Sequence, residues 1–180
     1  MTIERTGLFK FSGNDVAVIG PDIQIGQKAP EFTALTKDWS PFNGLQDTIG
    51  KVRIINSLLS LSTSVCDRET RHFNQEATGL DDRIIILTVS MDLPYTLKNW
   101  CAAADIDRVI TLSDHKNIDF GQKYGVLLKE PRVFRRAVFI VDRNDMVVYS
   151  AYMPILGEEP NYPEVLKAAR LAIAQQAKPD

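Results

Sequence analysis

The segment that most constrains the fold is RIIILTVSM, which spans Arg83 to Met91 and is the most strand-like run in the chain. Its apolar residues follow one another directly from Ile84 to Leu87 instead of alternating with polar ones. A strand of this kind has two buried faces and is typical of the interior of a sheet that is covered on both sides. The run is also far too short to cross a bilayer. The sequence therefore predicts an α/β fold built around a buried strand.

The segments on either side of this strand have the periodicities of further strands and helices. A second buried strand is predicted in VRIINSLL, and helices are predicted in DRETRHFNQEATGL, in YTLKNWCAAA after Pro94 and, as a short element, in DFGQKYGV. Hairpins are predicted in LFKFSGNDVAVIG near the N-terminus and in RAVFIVD with MVVYSAY, followed by an amphipathic helix in NYPEVLKAARLAIAQQA. This order predicts one domain over residues 1–180, with a central mixed β-sheet flanked by helices and an N-terminal β-hairpin.

Charge and composition exclude several classes of function. The chain has 21 Lys and Arg against 23 Asp and Glu, and these charges are interspersed without a basic stripe, so we expect no nucleic-acid partner. The N-terminal residues lack the apolar stretch of a signal peptide, and we expect a soluble, cytoplasmic protein with no membrane contact. The two cysteines and two histidines lack the spacing of a zinc site, and we expect neither a metal nor another cofactor.

Cys66 lies where the second strand passes into a predicted helix. The helix is expected to begin near Thr63 or Ser64, either of which could act as N-cap, and Ser64 with Asp67 resembles a capping box. Cys66 then lies in the first turn, where free N–H groups and the helix dipole favour a thiolate over a thiol. It shares an inward face with Thr70, Phe73, Ala77 and Leu80. A reactive thiolate and a small buried apolar residue are both consistent with this position.

Cys101 has a different pattern. Together with Leu97, Trp100 and Ala104 it forms an i, i+3, i+4, i+7 stripe, which turns the thiol towards the core. Taken alone, this pattern favours a packing role, because buried cysteines are mostly inert. In a reducing compartment the two cysteines are either free thiols or a transient catalytic pair, and the pair requires the helix to open locally.

Several motifs, in this order and spacing, make the chain resemble the thiol peroxidase branch of the peroxiredoxins, atypical two-cysteine enzymes with a thioredoxin-like fold. The resemblance extends over nearly the whole length. Its motifs are Gly26-x-x-Ala29-Pro30-x-Phe32, Thr63-x-x-Cys66 followed by ETRHFN, SMDLPY (Ser90–Tyr95) before Cys101, LSD (Leu112–Asp114), FGQKYGV (Phe120–Val126), RAVFIVD (Arg136–Asp142) and EEPNYPEVL.

The resemblance implies a role for each matching residue. Cys66 would be the peroxidatic cysteine, and Cys101 the resolving cysteine that condenses with the Cys66 sulfenic acid into an intramolecular disulfide. Thr63 would bind the thiolate and the peroxide, and Arg136 would stabilise the developing charge. Leu59 and Val65 would line the substrate pocket. The substrates would be hydrogen peroxide and organic (alkyl or lipid) hydroperoxides, the reductant thioredoxin, and the assembly a homodimer.

One residue departs from the family pattern. Most peroxiredoxins have a proline four residues before the active-site threonine, and this chain has Leu59 there. Leucine is apolar, but it restores a backbone N–H and frees the φ angle, so we expect weakened or altered peroxidase activity with the fold retained. Two alternatives remain open, a peroxide sensor that passes its disulfide to a partner and a dimeric binding or chaperone-like protein. A general disulfide reductase is disfavoured because no C-x-x-C motif occurs.

Overall fold

The structure is a computed structural model that describes residues 3–174. Within this range the larger sheet has seven strands, which from edge to edge are β11 (Val147–Tyr152), β10 (Ala137–Val141), β5 (Val52–Ser57), β6 (Ile84–Ser90), β7 (Ile110–Ser113), β3 (Thr33–Thr36) and β4 (Pro41–Asn43). Strands β5, β6 and β7 are parallel, and the other pairings are antiparallel. The predicted central mixed sheet is confirmed, and β6 is one of its interior strands.

The smaller sheet begins with the predicted N-terminal hairpin. Its described strands, in spatial order, are β1 (Glu4–Phe11), β2 (Asn14–Ile19), β8 (Leu127–Leu128) and β9 (Val133–Phe134). Strands β1 and β2 are antiparallel, and the turn between them has positive φ at both Ser12 and Gly13. Glycine adopts such a backbone conformation without steric cost, which explains why the chain reverses here.

Four α-helices occur among residues 3–174, namely α1 (Ser64–Ala77), α2 (Pro94–Ala104), α3 (Asp119–Lys123) and α4 (Tyr162–Ala174). All four lie in segments that the sequence predicts as helical. Pro94 occupies the first turn of α2, where its missing N–H costs nothing. The terminal helix was expected to reach Ala177, and positions 175–177 lie outside the described residues. No helix of the described chain combines the length and the apolar character needed to cross a membrane.

Both faces of the larger sheet are covered, as the apolar pattern of β6 requires. On one face Ile54 and Ile86 pack with Phe73 of α1 and Val165 of α4. On the other face Ile55 and Leu87 belong to a second cluster. That cluster includes the aromatic side chains of Phe32 before β3, Phe120 in α3 and Tyr124 directly after α3. The alternation of side chains along each strand therefore separates two cores.

Five short strands were not predicted, namely β3, β4 and β7 of the larger sheet and β8 and β9 of the smaller sheet. Strands β3 and β4 lie in a stretch expected to be rich in turns, because Pro41 and Gly44 interrupt its apolar pattern. Both strands are short and lie at one edge of the sheet, and Pro41 is the first residue of β4, a position that proline tolerates. Because the strands β5 and β6 are parallel, their carboxyl ends lie side by side. The segment that follows β5 carries Cys66, and the segment that follows β6 carries Cys101.

Candidate active site

Cys66 lies in the first turn of α1 and is completely buried. Its side chain belongs to a small apolar cluster with Leu58 and Leu61 of the loop after β5 and Leu97 of α2. Leu59 and Trp100 are half-buried and pack against this cluster. The predicted pocket residue Leu59 is therefore close to the thiol, whereas Val65 is half-buried beside it in the chain. The sulfur is surrounded mainly by hydrocarbon on this side.

A buried arginine lies on the other side of the sulfur. Arg136, the residue before β10, places Nη2 at 3.4 Å from the Cys66 sulfur and 3.4 Å from the Leu156 carbonyl oxygen. Its Nη1 donates to a carboxylate oxygen of Glu69. Cys66 and Arg136 are both predicted site residues, and the structure brings them together although 70 positions separate them in the chain.

Glu69 is the site residue that the sequence analysis missed. It is fully buried, its Oε1 lacks a hydrogen-bond partner within residues 3–174, and burial raises its pKa to about 7 although Arg136 acts in the opposite direction. Burial lowers the pKa of Arg136, but the charges of Glu69 and Cys66 outweigh this and raise it overall. Glu69 follows Cys66 by three positions, so the helical spacing that defines the inward face was an available signal.

The predicted capping box is wrong. Thr63 is the N-cap of α1, but it makes no side-chain capping bond, and its Oγ1 donates instead to the Ser60 carbonyl oxygen at 3.0 Å. The carboxylate of Asp67 accepts from Trp100 Nε1 at 3.0 Å and from Arg71 Nε at 2.9 Å. Tertiary partners from α2 and the next turn of α1 thus replace the local interaction that the sequence suggested.

The loop that leads to Cys66 is fixed by Asp92, which follows β6. Its carboxylate accepts from Ser60 Oγ at 2.7 Å, from the Leu61 N–H at 2.8 Å and from Ser90 Oγ at 2.9 Å. Charge-assisted hydrogen bonds of this kind are stronger than neutral ones. The end of β6 therefore holds the loop that positions the reactive end of α1.

Cys101 lies in the last turn of α2 and is also buried. Its sulfur lies 3.3 Å from the hydroxyl oxygen of Thr111 on β7. Cys101 also lines a cavity of about 420 Å³ whose wall includes Lys37, Asp38 and Asp107, and Cys66 is not part of that wall. Both cysteines are free thiols, so the structure represents a reduced form in which they occupy separate surroundings.

Residues 3–174 contain no group of three or more His, Cys, Asp or Glu side chains arranged to hold a metal ion. The polar groups at the site are a thiol, a guanidinium, a carboxylate and hydroxyls. These groups can activate a sulfur nucleophile and bind an oxygen that gains negative charge.

A sheet flanked by helices, with a buried cysteine in the first turn of a helix and an arginine beside its sulfur, is the arrangement expected of a thiol-based redox protein. The chain belongs to the Redoxin family, which it matches over residues 24–166. The crystal structure of a peroxiredoxin-like protein from Aquifex aeolicus has a TM-score of 0.84 and 35% identity to this chain, covering 95% of it and 98% of that protein. The predicted thioredoxin-like fold is confirmed.

Within this family the similarity is to thiol peroxidases. The chain is 49% identical over 156 residues to a thiol peroxidase of Oceanobacillus iheyensis, which covers 87% of this chain and 94% of the relative. It is 42% identical over 163 residues to a thiol peroxidase of Bacillus subtilis, covering 91% and 96%. The resemblance inferred from the motifs is therefore confirmed over most of the chain.

Proposed function

We propose that this chain is a thiol-dependent peroxidase in which Cys66 is the attacking residue. The observation that carries this proposal is the guanidinium of Arg136 at 3.4 Å from a buried sulfur in the first turn of a helix. A nearby cation and the positive end of the helix dipole both favour the thiolate, which is the nucleophilic form of cysteine. The thiol peroxidases among its relatives support the assignment of the reaction.

In the first step, the Cys66 sulfur attacks one oxygen of a hydroperoxide and the O–O bond breaks. Cys66–SH and ROOH become Cys66–SOH and the alcohol ROH, so sulfur is oxidised by two electrons and the peroxide is reduced. Arg136 stabilises the negative charge on the departing oxygen. We assign Thr63 to binding the peroxide, for which its hydroxyl must turn from the Ser60 carbonyl towards the substrate.

In the second step, Cys101 condenses with the sulfenic acid to form an intramolecular disulfide and water. A dithiol protein of the thioredoxin type then reduces the disulfide in the cytoplasm, and the working unit is a homodimer. The resemblance to the family carries these three assignments. The apolar surroundings of Cys66, with Leu59 and Val65 as pocket residues, suit the tail of an organic hydroperoxide as well as hydrogen peroxide.

The test is the intact mass of the reduced protein after one equivalent of an organic hydroperoxide, with alkylation of the remaining thiols. The proposal expects that both free thiols disappear and that the mass falls by two hydrogens. A Cys101→Ser variant is the matched control, and it should stop at the Cys66 sulfenic acid. Thiols that remain unreacted would contradict the peroxidase and favour the binding or chaperone-like alternative, for which the replacement of proline by Leu59 is the supporting observation.

The peroxide-sensor alternative needs a second measurement, because a sensor is oxidised in the same way. Steady-state peroxide consumption with thioredoxin and its reductase separates the two functions. The proposed peroxidase turns over many times, whereas a sensor is oxidised once and passes its disulfide to a different protein.

A further inference from the structure

The two cysteines must approach each other before they can form the disulfide of the proposed function. A disulfide requires the two Cα atoms to lie within about 7 Å. In the reduced structure the Cys101 sulfur lies against Thr111, and Cys101 lines the cavity, while Cys66 packs against Leu97, one helical turn earlier on α2. To reach Cys66 the Cys101 sulfur must leave Thr111, and a displacement of the last turn of α2 would achieve this.

That last turn is fastened to α1 on both sides of Cys101. Trp100, the residue before Cys101, donates its Nε1–H to the carboxylate of Asp67, the residue after Cys66. The carbonyl oxygen of Ala104 accepts from Nη1 of Arg71 at 3.3 Å. The guanidinium of Arg71 also lies 5.7 Å from the ring centroid of Trp100 and bonds to Asp67. We call these contacts the interhelix clamp.

We propose that Asp67 and Trp100 are positioning residues of the clamp that hold the last turn of α2 closed and so set the rate of disulfide formation. This inference rests on the proposed function. The controlled step joins Cys66–SOH and Cys101–SH into the disulfide and releases one water molecule. While the clamp is closed, the sulfenic acid persists, and a second peroxide converts it to the sulfinic acid. The clamp therefore determines how the sulfenic acid is divided between disulfide and sulfinic acid.

Substitutions can separate the clamp hydrogen bond from other effects. Trp100→Phe removes the N–H donor and keeps an aromatic ring. Asp67→Ala removes the acceptor, and Asp67→Asn loses the same charge but keeps an oxygen acceptor, so comparing these two isolates the hydrogen bond. Arg68→Met is the control on the same helix, since Arg68 forms an exposed ion pair with Glu159 and takes no part in the clamp.

The first measurement is amide hydrogen exchange of the reduced protein, which does not depend on peroxide chemistry. Trp100→Phe and Asp67→Ala should each speed exchange in the last turn of α2 by about tenfold, the effect of losing one hydrogen bond to a charged group. Asp67→Asn keeps a weaker, neutral acceptor and should lie between Asp67→Ala and the unaltered protein, and Arg68→Met should match the unaltered protein. Equal exchange in Trp100→Phe and the unaltered protein would overturn the clamp.

The second measurement is rapid mixing with one equivalent of hydroperoxide, followed by acid quench, alkylation and mass analysis. We expect Trp100→Phe and Asp67→Ala to form the disulfide about tenfold faster, with less sulfinic acid in excess peroxide. The first oxidation of Cys66 should be unchanged in the control Arg68→Met, whose side chain is exposed and lies outside the Cys66 cluster. A disulfide that forms at the same rate in Trp100→Phe would overturn the clamp alone. No disulfide in the unaltered protein would overturn the proposed function.

Discussion

Cys66 and Cys101 are both buried thiols on helices, but the electric fields around them differ. Cys66 lies in the first turn of α1, 3.4 Å from a guanidinium nitrogen. Cys101 lies in the last turn of α2, next to the uncharged hydroxyl of Thr111 and close to the negative end of the helix dipole. Burial alone therefore does not distinguish a reactive thiol from an inert one. The position along the helix and the neighbouring charge do.

The largest expected effect tests this contrast directly by exchanging each sulfur for oxygen. Cys66→Ser should reduce peroxide consumption by on the order of 10³-fold or more, because the nucleophile is lost. Cys101→Ser should leave the first oxidation close to unchanged and stop the cycle afterwards. Stopped-flow measurement of the first equivalent of peroxide consumed distinguishes the two variants. Equal loss in both would mean that the two thiols do not have separate roles.

Removing the charge beside Cys66 should have the next largest effect. Arg136→Met should slow the first oxidation by about 10²-fold, the usual effect of losing one donor to a developing oxyanion. Arg135→Met is a matched control, because Arg135 is also buried and paired, with Asp22, but does not contact Cys66. The rate constant per folded molecule, measured at several peroxide concentrations, should be unchanged in this control. A similar slowing in both variants would point to general damage to the fold.

The pH dependence of stability tests the state of Glu69, which is paired with Arg136 beside Cys66. Burial raises the pKa of Glu69 from 4.5 to about 7, so the unfolded chain releases this proton at lower pH than the folded chain does. Stability that is fully present below pH 4.5 is then lost as the pH rises to 7, which amounts to about 3 kcal/mol. Glu69→Gln should abolish that loss.

The measurement is the free energy of unfolding in urea at several pH values for both proteins. Burial also raises the pKa of Asp114 to about 7. Asp114 is present in both the unaltered protein and Glu69→Gln, so its contribution cancels in the difference between their pH profiles, and that difference reports on Glu69. Parallel profiles would contradict the assignment.

The smallest expected effect concerns the residue that departs from the family pattern. Leu59→Pro should change the rate of Cys66 oxidation by up to about tenfold, equivalent to roughly 1.4 kcal/mol in the barrier. Leu59→Ala is the companion variant, because it removes the apolar contact with the Cys66 cluster and keeps the N–H. The ratio of rates with an organic hydroperoxide and with hydrogen peroxide reports on the pocket. An unchanged oxidation rate in Leu59→Pro would contradict the hypothesis of altered activity.

Periodicity in the sequence was sufficient to predict the helices and four strands of the larger sheet, namely β5, β6, β10 and β11. The apolar residues on both faces of β6 and the apolar residues on the inward face of α1 are close together in the chain, so their patterns can be recognised without a structure. Strands β3, β4 and β7 of the larger sheet and β8 and β9 of the smaller sheet were missed, because each has four residues or fewer and is too short to show a period.

Contacts within the site were harder to predict than the elements that carry them. Arg136 and Cys66 were predicted from motifs. The helical spacing could have placed Glu69 on the same inward face as Cys66, but nothing local indicated that its partner would be the guanidinium of Arg136. The prediction of a capping box was wrong because the carboxylate of Asp67 accepts a hydrogen bond from Trp100, 33 positions away in the chain. A carboxylate has several possible partners within reach in a folded chain, and only the packing of α1 against α2 decides between them.

The cavity beside Cys101 has a consequence for the equilibrium of the proposed disulfide. When Cys101 moves to Cys66, the cavity gains the space that the side chain occupied, and Thr111 loses its contact with the thiol. The packing of the Cys101 side chain and its contact with Thr111 are lost only in the oxidised protein, so their loss stabilises the dithiol relative to the disulfide. Each 1.4 kcal/mol of that difference raises the reduction potential by about 30 mV. The cavity and the lost contact with Thr111 would therefore make the proposed disulfide easier for a dithiol to reduce.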